Sequence, residues 1–371
     1  MNKLLVSILM LFIVTSMSWT QTRPDPATPF GETVQQVTGS TGQQLSKIMA
    51  PPPPPYSDLT ALTNGGDRLV GTQYTDGAWG WDLIAPPTYG NIHGPIGMGL
   101  AQAYLRTGSA TQLGALSDAA AYFLLKTTFS TADGYLAAQL DAIYGGTTYT
   151  SYIKTNFYEK LALGTYVGTS GTYDTQGYVN AIRTSRASQG LANLAAWDLG
   201  MGLVGAAMCG VTGTELGYWI AGVKAEINEL VSGAPNDVLG LAGAVYGLAY
   251  VNEEIDPTAG QHAPAGNLGD LASILLGYQI PASGGFTYDG LDVTSGNETI
   301  QETAYSILAL AEFNFVANKT DIQSAAQYMM SVQLSTGGWE NDLGSIDGEN
   351  NEITGEALWG IAAAYPSGVD S

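Results

Sequence analysis

The stretch Gln73–Trp81, "QYTDGAWGW", returns twice farther along the chain, as "QIPASGGFTYDG" from Gln279 and "QLSTGGWEND" from Gln333. Each copy runs Gln, a few turn-forming residues, Gly, one further residue and an aromatic: Trp79, Phe286 or Trp339. A helix-patterned segment precedes each one ("LTALTNGGDRLVGTQ", "LGDLASILLGYQ", "DIQSAAQYMMSVQ"). A loop and a second helical pattern rich in small residues follow ("GPIGMGLAQAYLRTG", "IQETAYSILALAEF", "ITGEALWGIAAAY"). The unit is therefore helix, corner, loop, helix. Gln279 and Gln333 are 54 residues apart and Gln73 and Gln279 are 206 apart, close to four intervals of about 52, which is in the range of helical-pair repeats.

Three degenerate copies fill the gap. Gln112–Thr127 with Gly134–Gly145 reads as one helix pair, Thr150–Leu163 with Ser185–Gly200 as the next, and Thr214–Ser232 with Asp237–Tyr250 as the third. Six outer and six inner helices follow. The Ala- and Gly-rich composition of the inner ones suits backbones that approach closely around a shared axis, and glycine-rich corners account for much of the count of 48 Gly. The sequence predicts an all-α domain over residues 57–371, with no sheet of consequence.

The two ends of the chain differ from this pattern. "MNKLLVSILMLFIVTSMSWTQ" has a short basic head, an apolar run from Leu4 to Thr15 and small residues Ser16 and Ser18 at the spacing a signal peptidase reads. That run is shorter than the roughly 20 residues of a membrane span. We read residues 1–21 as a secretory signal peptide and expect a secreted, extracellular or periplasmic protein that is not transmembrane. Residues 22–56, which include five prolines at Pro51–Pro55, read as an extended leader without a core. Lys+Arg 12 against Asp+Glu 33 gives a net charge of -21, which opposes nucleic acid and anionic lipid as partners. The single cysteine, Cys209, lies in the apolar run "GLVGAAMCGV" and reads as a buried, inert thiol.

The repeated Gln…Gly-x-aromatic corner resembles the QW motif of squalene and terpene cyclases. It is also similar to repeats of protein prenyltransferase β-subunits and of pectate lyases built as α/α-toroids. The resemblance implies an (α/α)6 toroid, a double ring of about twelve helices over Ser57–Pro366. It also implies structural roles: Gln73 with Trp79, Gln279 with Phe286 and Gln333 with Trp339 would clamp neighbouring hairpins together.

The catalytic features of those relatives are missing. The cyclases use an Asp-x-Asp-Asp cluster, and no two Asp are adjacent in this chain; "TIQETAYSIL" offers Glu302 without such partners. The prenyltransferase zinc site needs Asp, Cys and His together, and a lanthionine-forming toroid needs a second cysteine. No G-x-S-x-G, Walker loop or H-E-x-x-H occurs.

In a toroid the loops from outer to inner helices gather on one rim, and loops on a rigid scaffold commonly carry function. Trp79–Pro95, Phe286–Thr299 and Glu340–Ile353 are the long ones, and closure of the ring should make the first and last neighbours. This places Asp82 and Glu340 as a candidate catalytic pair, with Trp81, Tyr89, His93, Tyr288 and Asp289 as candidate substrate contacts. Paired carboxylates beside aromatic platforms suit a saccharide, as in glycoside hydrolysis, so a polysaccharide or other small ligand is the expected partner. A polysaccharide lyase would also want a base, for which Arg183 and Arg186 are the central candidates. Asp342, Asp347, Glu349 and Glu352 in "DLGSIDGENNE" offer hard oxygen ligands for Ca²⁺, without EF-hand spacing. Simpler readings compete: Glu302 three residues after Thr299 fits a capping box, and Glu352 and Glu356 fit the acid preference of a first helical turn. The function expected first is a glycoside hydrolase or polysaccharide lyase. The alternatives are a non-catalytic binding toroid and a terpenoid-cyclase-like protein lacking the acidic motif.

Overall fold

The computed structural model describes residues 56–81, 83, 92–168, 170–342 and 348–366. Residues 1–55, which hold the segments read as a signal peptide and all but the last residue of the leader, lie outside these, as do Asp82, Tyr89 and Asp347. The elements in chain order are α1 (Asp58–Thr72), α2 (His93–Thr107), α3 (Ala110–Phe123) and α4 (Asp133–Tyr144). Next come α5 (Thr148–Ile153), a π-helical segment (Lys154–Tyr158), α6 (Glu159–Ala162), β1 (Tyr166–Gly168) and β2 (Gly171–Tyr173). Then follow α7 (Thr175–Ser188), α8 (Ala192–Met208), α9 (Gly213–Ile227), α10 (Asp237–Tyr250) and α11 (Leu268–Leu276). β3 (Phe286–Thr287), β4 (Glu298–Thr299), α12 (Ile300–Ser331) and α13 (Asn351–Ala364) complete the chain. Each strand pair is a small antiparallel hairpin, and α12 is broken into two arms at Asn314, whose φ of -167° and ψ of 86° are not helical.

Six helices close an inner ring in the order α2, α4, α8, α10, the first arm of α12, α13 and back to α2. The remaining helices pack outside it. Close contact along the ring follows from its glycines. A Cβ on Gly99 would come within 2.0 Å of the Gly355 carbonyl oxygen, one on Gly200 within 2.0 Å of the Gly243 oxygen, and one on Gly134 within 2.6 Å of the Gly205 Cα. The seams α2–α13, α8–α10 and α4–α8 therefore admit no side chain at those points.

The corners are structural, as expected. Gln73 Nε2 donates to the Gly77 carbonyl of its own turn (3.0 Å) and to Ala115 on the next outer helix (2.9 Å). Gln279 does the same with Gly284 (2.8 Å) and Asp321 (2.8 Å). Gln333 bonds Gly337 (2.7 Å) and then Ala61 on α1 (3.0 Å), so the last corner closes the ring on the first helix. Trp79 and Trp339, both fully buried, each donate their indole N–H at 2.8 Å to a carbonyl ten residues back, Leu69 and Met329. The corner glycines, with φ of 88° at Gly77, 86° at Gly284 and 99° at Gly337, lie against the neighbouring helix, where a Cβ would overlap Asp118, Ser324 or Asn64.

One hairpin departs from the sequence reading. Ser185–Gly200 is not a single inner helix. α7 ends in the Gln189–Leu191 turn, where Gly190 takes a φ of 73°, and the inner helix α8 starts at Ala192. Asp174 caps α7 by accepting from the Gly177 N–H at 2.7 Å, so α7 is an additional outer segment that α5 and α6 precede. Arg183 and Arg186 accordingly sit on the outer segment α7, which precedes the inner helix α8. Cys209 is buried as read, its thiol pushed up to about 12 by burial and donating to the Gly134 carbonyl. Among the described residues no helix is long and apolar enough to cross a membrane.

Candidate functional site

The inner helices present an unusual combination to their common axis. Five of the six contribute an aromatic ring or a carboxyl that is buried there. Trp359 of α13 has its ring centroid 4.8 Å from Tyr135 of α4, 6.0 Å from Tyr246 of α10 and 6.4 Å from Tyr305 of α12. Tyr305 in turn meets Trp197 of α8 edge-on at 5.4 Å. Helices that are not neighbours in the ring thus touch through these side chains, which bring π-faces to the axis.

Three glutamates join this belt, each 1% exposed: Glu302, Glu352 and Glu356. They lie in the first two turns of α12 and α13. Glu352, Glu356 and Trp359 are spaced i, i+4, i+7, which puts them on one stripe of α13. Gln301 Nε2 (3.1 Å) and the Tyr305 hydroxyl (3.0 Å) both donate to Glu356 Oε1. Glu356 Oε2 has no protein partner, nor do Oε2 of Glu302 and of Glu352, Trp197 Nε1 or Ser306 Oγ. An unmade hydrogen bond at a buried group costs about 1–3 kcal/mol, so several such atoms in one zone mark it as a place the fold alone does not explain.

Burial sets the protonation of these acids. It pushes Glu302 up to about 7, with Asp237 and Asp342 adding to the effect. Glu356 is raised to about 8 by burial against the two hydrogen bonds from Gln301 and Tyr305, while Glu302 adds repulsion. Glu352 is raised well above the ordinary carboxylate range by burial and then by Glu356, with Arg186 opposing. Arg186 reaches in from α7 to pair with Asp198 of α8 at 2.6 Å, both buried. Near neutral pH Glu352 and Glu356 therefore favour the carboxylic acid form, while Glu302 titrates there.

The residues singled out in the sequence are distributed differently. Trp81 is buried at the first corner, and its carbonyl accepts from the Asn351 N–H at 3.2 Å. Gly80 accepts from Asn351 Nδ2 at 3.0 Å, so the first and last outer-to-inner connections do meet. His93 faces the outer ring: its ring packs against Trp79 (5.5 Å) and Tyr122 (4.8 Å), with Nε2 3.4 Å from the Ala119 carbonyl. Burial, followed by Lys126, lowers it to about 3; it is a neutral wall residue. Tyr288 and Asp289 lie beside Asp237 and Glu302: burial and then the Glu302 charge raise the Tyr288 phenol. Glu340 is half-buried beside the third corner.

The proposed calcium ligands are not brought together among the described residues. Glu349 is held by Arg68 at 2.5 and 2.9 Å and by the Thr336 hydroxyl at 2.9 Å. Glu352 belongs to the axis and Asp342 lies near Glu302. No group of three or more His, Cys, Asp or Glu among the described residues is arranged to hold a metal. The capping-box reading of Glu302 also gives way. The first N–H groups of α12, on Ile300 and Gln301, donate to the carbonyl and side-chain oxygens of Asn341 at 2.8 and 2.9 Å, so Thr299 does not cap them. Arg183 faces Glu226 and Glu229.

No family model matches the chain, and no curated protein matches it. Solved structures do. The type II terpene cyclase MstE from Scytonema, in its apo form, superposes with a TM-score of 0.52 at 15% identity, covering 84% of this chain and 98% of that one. A variant of MstE in complex with its substrate, geranylgeranyl dihydroxybenzoate, superposes with a TM-score of 0.46 at 13% identity, over 83% and 97% of the two chains. At 15% identity the likeness to the apo structure shows the fold alone, an all-α toroid.

Proposed function

We propose that the toroid performs acid-initiated chemistry on an apolar, unsaturated chain of isoprenoid type, held at the ring axis, with Glu356 as the proton donor. The single observation that carries this reading is the Glu356 carboxyl itself. Gln301 and Tyr305 donate to one oxygen, and the other, buried and unpartnered, is where the proton resides. Those two hydrogen bonds stabilise the carboxylate left behind once the proton departs, which counters the weak acidity that burial imposes. In the step envisaged, the Glu356 O–H bond breaks as a C–H bond forms at one alkene carbon. The neighbouring carbon becomes cationic, a second double bond of the same chain attacks it, and the final cation loses a proton to water, from which the Glu356 carboxylate is reprotonated. Product and substrate are then isomers, and the acid is restored.

The surrounding rings supply what such a cation needs. Trp197, Tyr305, Trp359, Tyr135 and Tyr246 offer π-faces, and cation–π attraction is worth about 2 kcal/mol or more where water is excluded. A carbohydrate-active reading would set two working carboxylates on the rim. The neutral, buried acids on the axis support chemistry there instead. The terpenoid-cyclase-like fold agrees with this choice but does not decide it. The missing Asp-x-Asp-Asp cluster is answered by acids from two different helices. We place the activity outside the cytoplasm, on the strength of the N-terminal "MNKLLVSILMLFIVTSMSWTQ".

The test is a screen of the purified chain against uncharged polyprenyl alcohols, hydrocarbons and prenylated aromatics by gas chromatography–mass spectrometry, with pectins and neutral glycans alongside. Isomeric products from a polyprenyl compound, lost in Glu356→Gln, are expected. Binding without turnover would favour a non-catalytic toroid, and glycan cleavage would return the site to the rim.

A further inference from the structure

The charge around the inner-helix N-termini narrows the substrate class, granted that the axis is where the substrate binds. We infer that the ligand is an uncharged isoprenoid, an alcohol or hydrocarbon or a conjugate of similar neutrality, and not an allylic diphosphate.

A diphosphate needs cations or free helix N-termini to hold it. Among the described residues there are nine Lys and Arg. Six of them are in ion pairs with carboxylates, Arg186 with Asp198 and Lys126 with Asp133 being the most buried. The other three, Lys154, Lys160 and Lys319, lie on outer segments. The internal stretches beyond the described residues (82, 84–91, 169 and 343–347) contain no Lys or Arg in their sequence.

Four of the six inner-helix N-termini, those of α4, α10, α12 and α13, are also spoken for. Their positive dipole ends would otherwise attract an anion. Asp133 and Asp237 occupy the first positions of α4 and α10, with Glu302 and Glu352 in the first turns of α12 and α13. The leading N–H groups of α12 donate to Asn341, and that of Asn351 donates to Trp81. Asp237 further accepts from the Gly233 and Gly290 amides. Asp237 and Asp342 lie close enough to Glu302 to raise it, Asp289 lies close to Asp237, and the buried Glu302 Oε2 has no partner. An incoming diphosphate would meet like charge at these four N-termini and, among the described residues, no unpaired Lys or Arg on an inner helix. An uncharged chain bearing a hydroxyl meets no such penalty and can hydrogen-bond a carboxyl.

Equilibrium binding of geranylgeraniol and of geranylgeranyl diphosphate to the full chain, followed by tryptophan emission at low ionic strength, tests this. A Trp359→Phe variant identifies the axial signal. The alcohol is expected to bind at least about tenfold more tightly, a difference of about 1.4 kcal/mol. The gap should narrow with added salt and in Asp289→Lys. Equal or tighter binding of the diphosphate would overturn the inference while leaving the axial site intact. If neither ligand binds, the axial reading and this inference fall together.

Discussion

Replacing Glu356 by Gln changes one thing at the axis: the side chain can no longer ionise. Its Oε1 still accepts from Gln301 and Tyr305, and an amide N–H stands where the acid O–H was. In the native protein Glu356 stays protonated up to about 8, against an ordinary value of 4.5. Between those values the folded chain holds a proton that the unfolded chain has lost, so stability falls as pH rises. The slope is about 1.4 kcal/mol per pH unit for one such group. It vanishes below the unfolded value and again above the folded one. The whole interval amounts to about 5 kcal/mol. Glu302, which titrates near 7, and Glu352 ionise against the same surroundings and share that cost, leaving about 2–4 kcal/mol to Glu356 alone. The variant should therefore match the wild type at pH 5 and exceed it at pH 8. At about 2 °C per kcal/mol for a chain of this size, the gain is about 4–8 °C in Tm. Circular dichroism melts of both proteins at half-unit steps from pH 4.5 to 8.5 measure it. Parallel curves across the range, or a less stable variant at pH 8, would refute the buried-acid reasoning.

The other expectations concern the scaffold. Trp79→Ala and Trp339→Ala each remove a fully buried indole and its hydrogen bond from a corner, and each should lower the unfolding free energy by about 3–5 kcal/mol in urea titrations; a normal melt with lost ligand binding would give these residues another role. Arg186→Met leaves Asp198 buried without its charge partner and should cost about 3–5 kcal/mol, of which Arg186→Met combined with Asp198→Leu should recover a large part; no recovery would mean the pair does not act as a unit. With Glu349 bound to Arg68 and Glu352 on the axis, millimolar calcium should leave Tm unchanged relative to chelator, and a clear upward shift would show a site that ion binding stabilises.

The corners were legible because their chemistry is local. A Gln, a glycine with positive φ and an aromatic within seven residues identify the same turn wherever they recur, and the spacing of the copies places Gln333 beside α1. The break at Gly190 was harder to see, since "RASQGLANLAAWD" continues a helical pattern through a residue that ends one helix and admits another. The axial acids were hidden for a different reason. Glu302 and Glu356 come from two different helices, and each has a sufficient local explanation as a cap or a favoured first-turn acid. Only the packing of α12 against α13 brings Gln301 and Tyr305 onto Glu356. One signal was available: Glu352, Glu356 and Trp359 in "NEITGEALW" share a stripe on a helix whose other residues are apolar or small, so an ionisable stripe there had to face the interior. His93 shows the converse case, an apparently functional residue whose surroundings, Trp79 and Tyr122, make it part of the wall.

The central claim, proton donation from Glu356 to an apolar polyene on the ring axis, is tested most directly by turnover in heavy water. The chain would be incubated with the polyprenyl compound that the screen identifies, in D₂O, and the product examined by mass spectrometry beside a Glu356→Gln control. The expected product is an isomer of the substrate carrying one deuterium from the solvent, absent in the variant. A product without solvent deuterium, or one formed equally well by Glu356→Gln, would contradict the account.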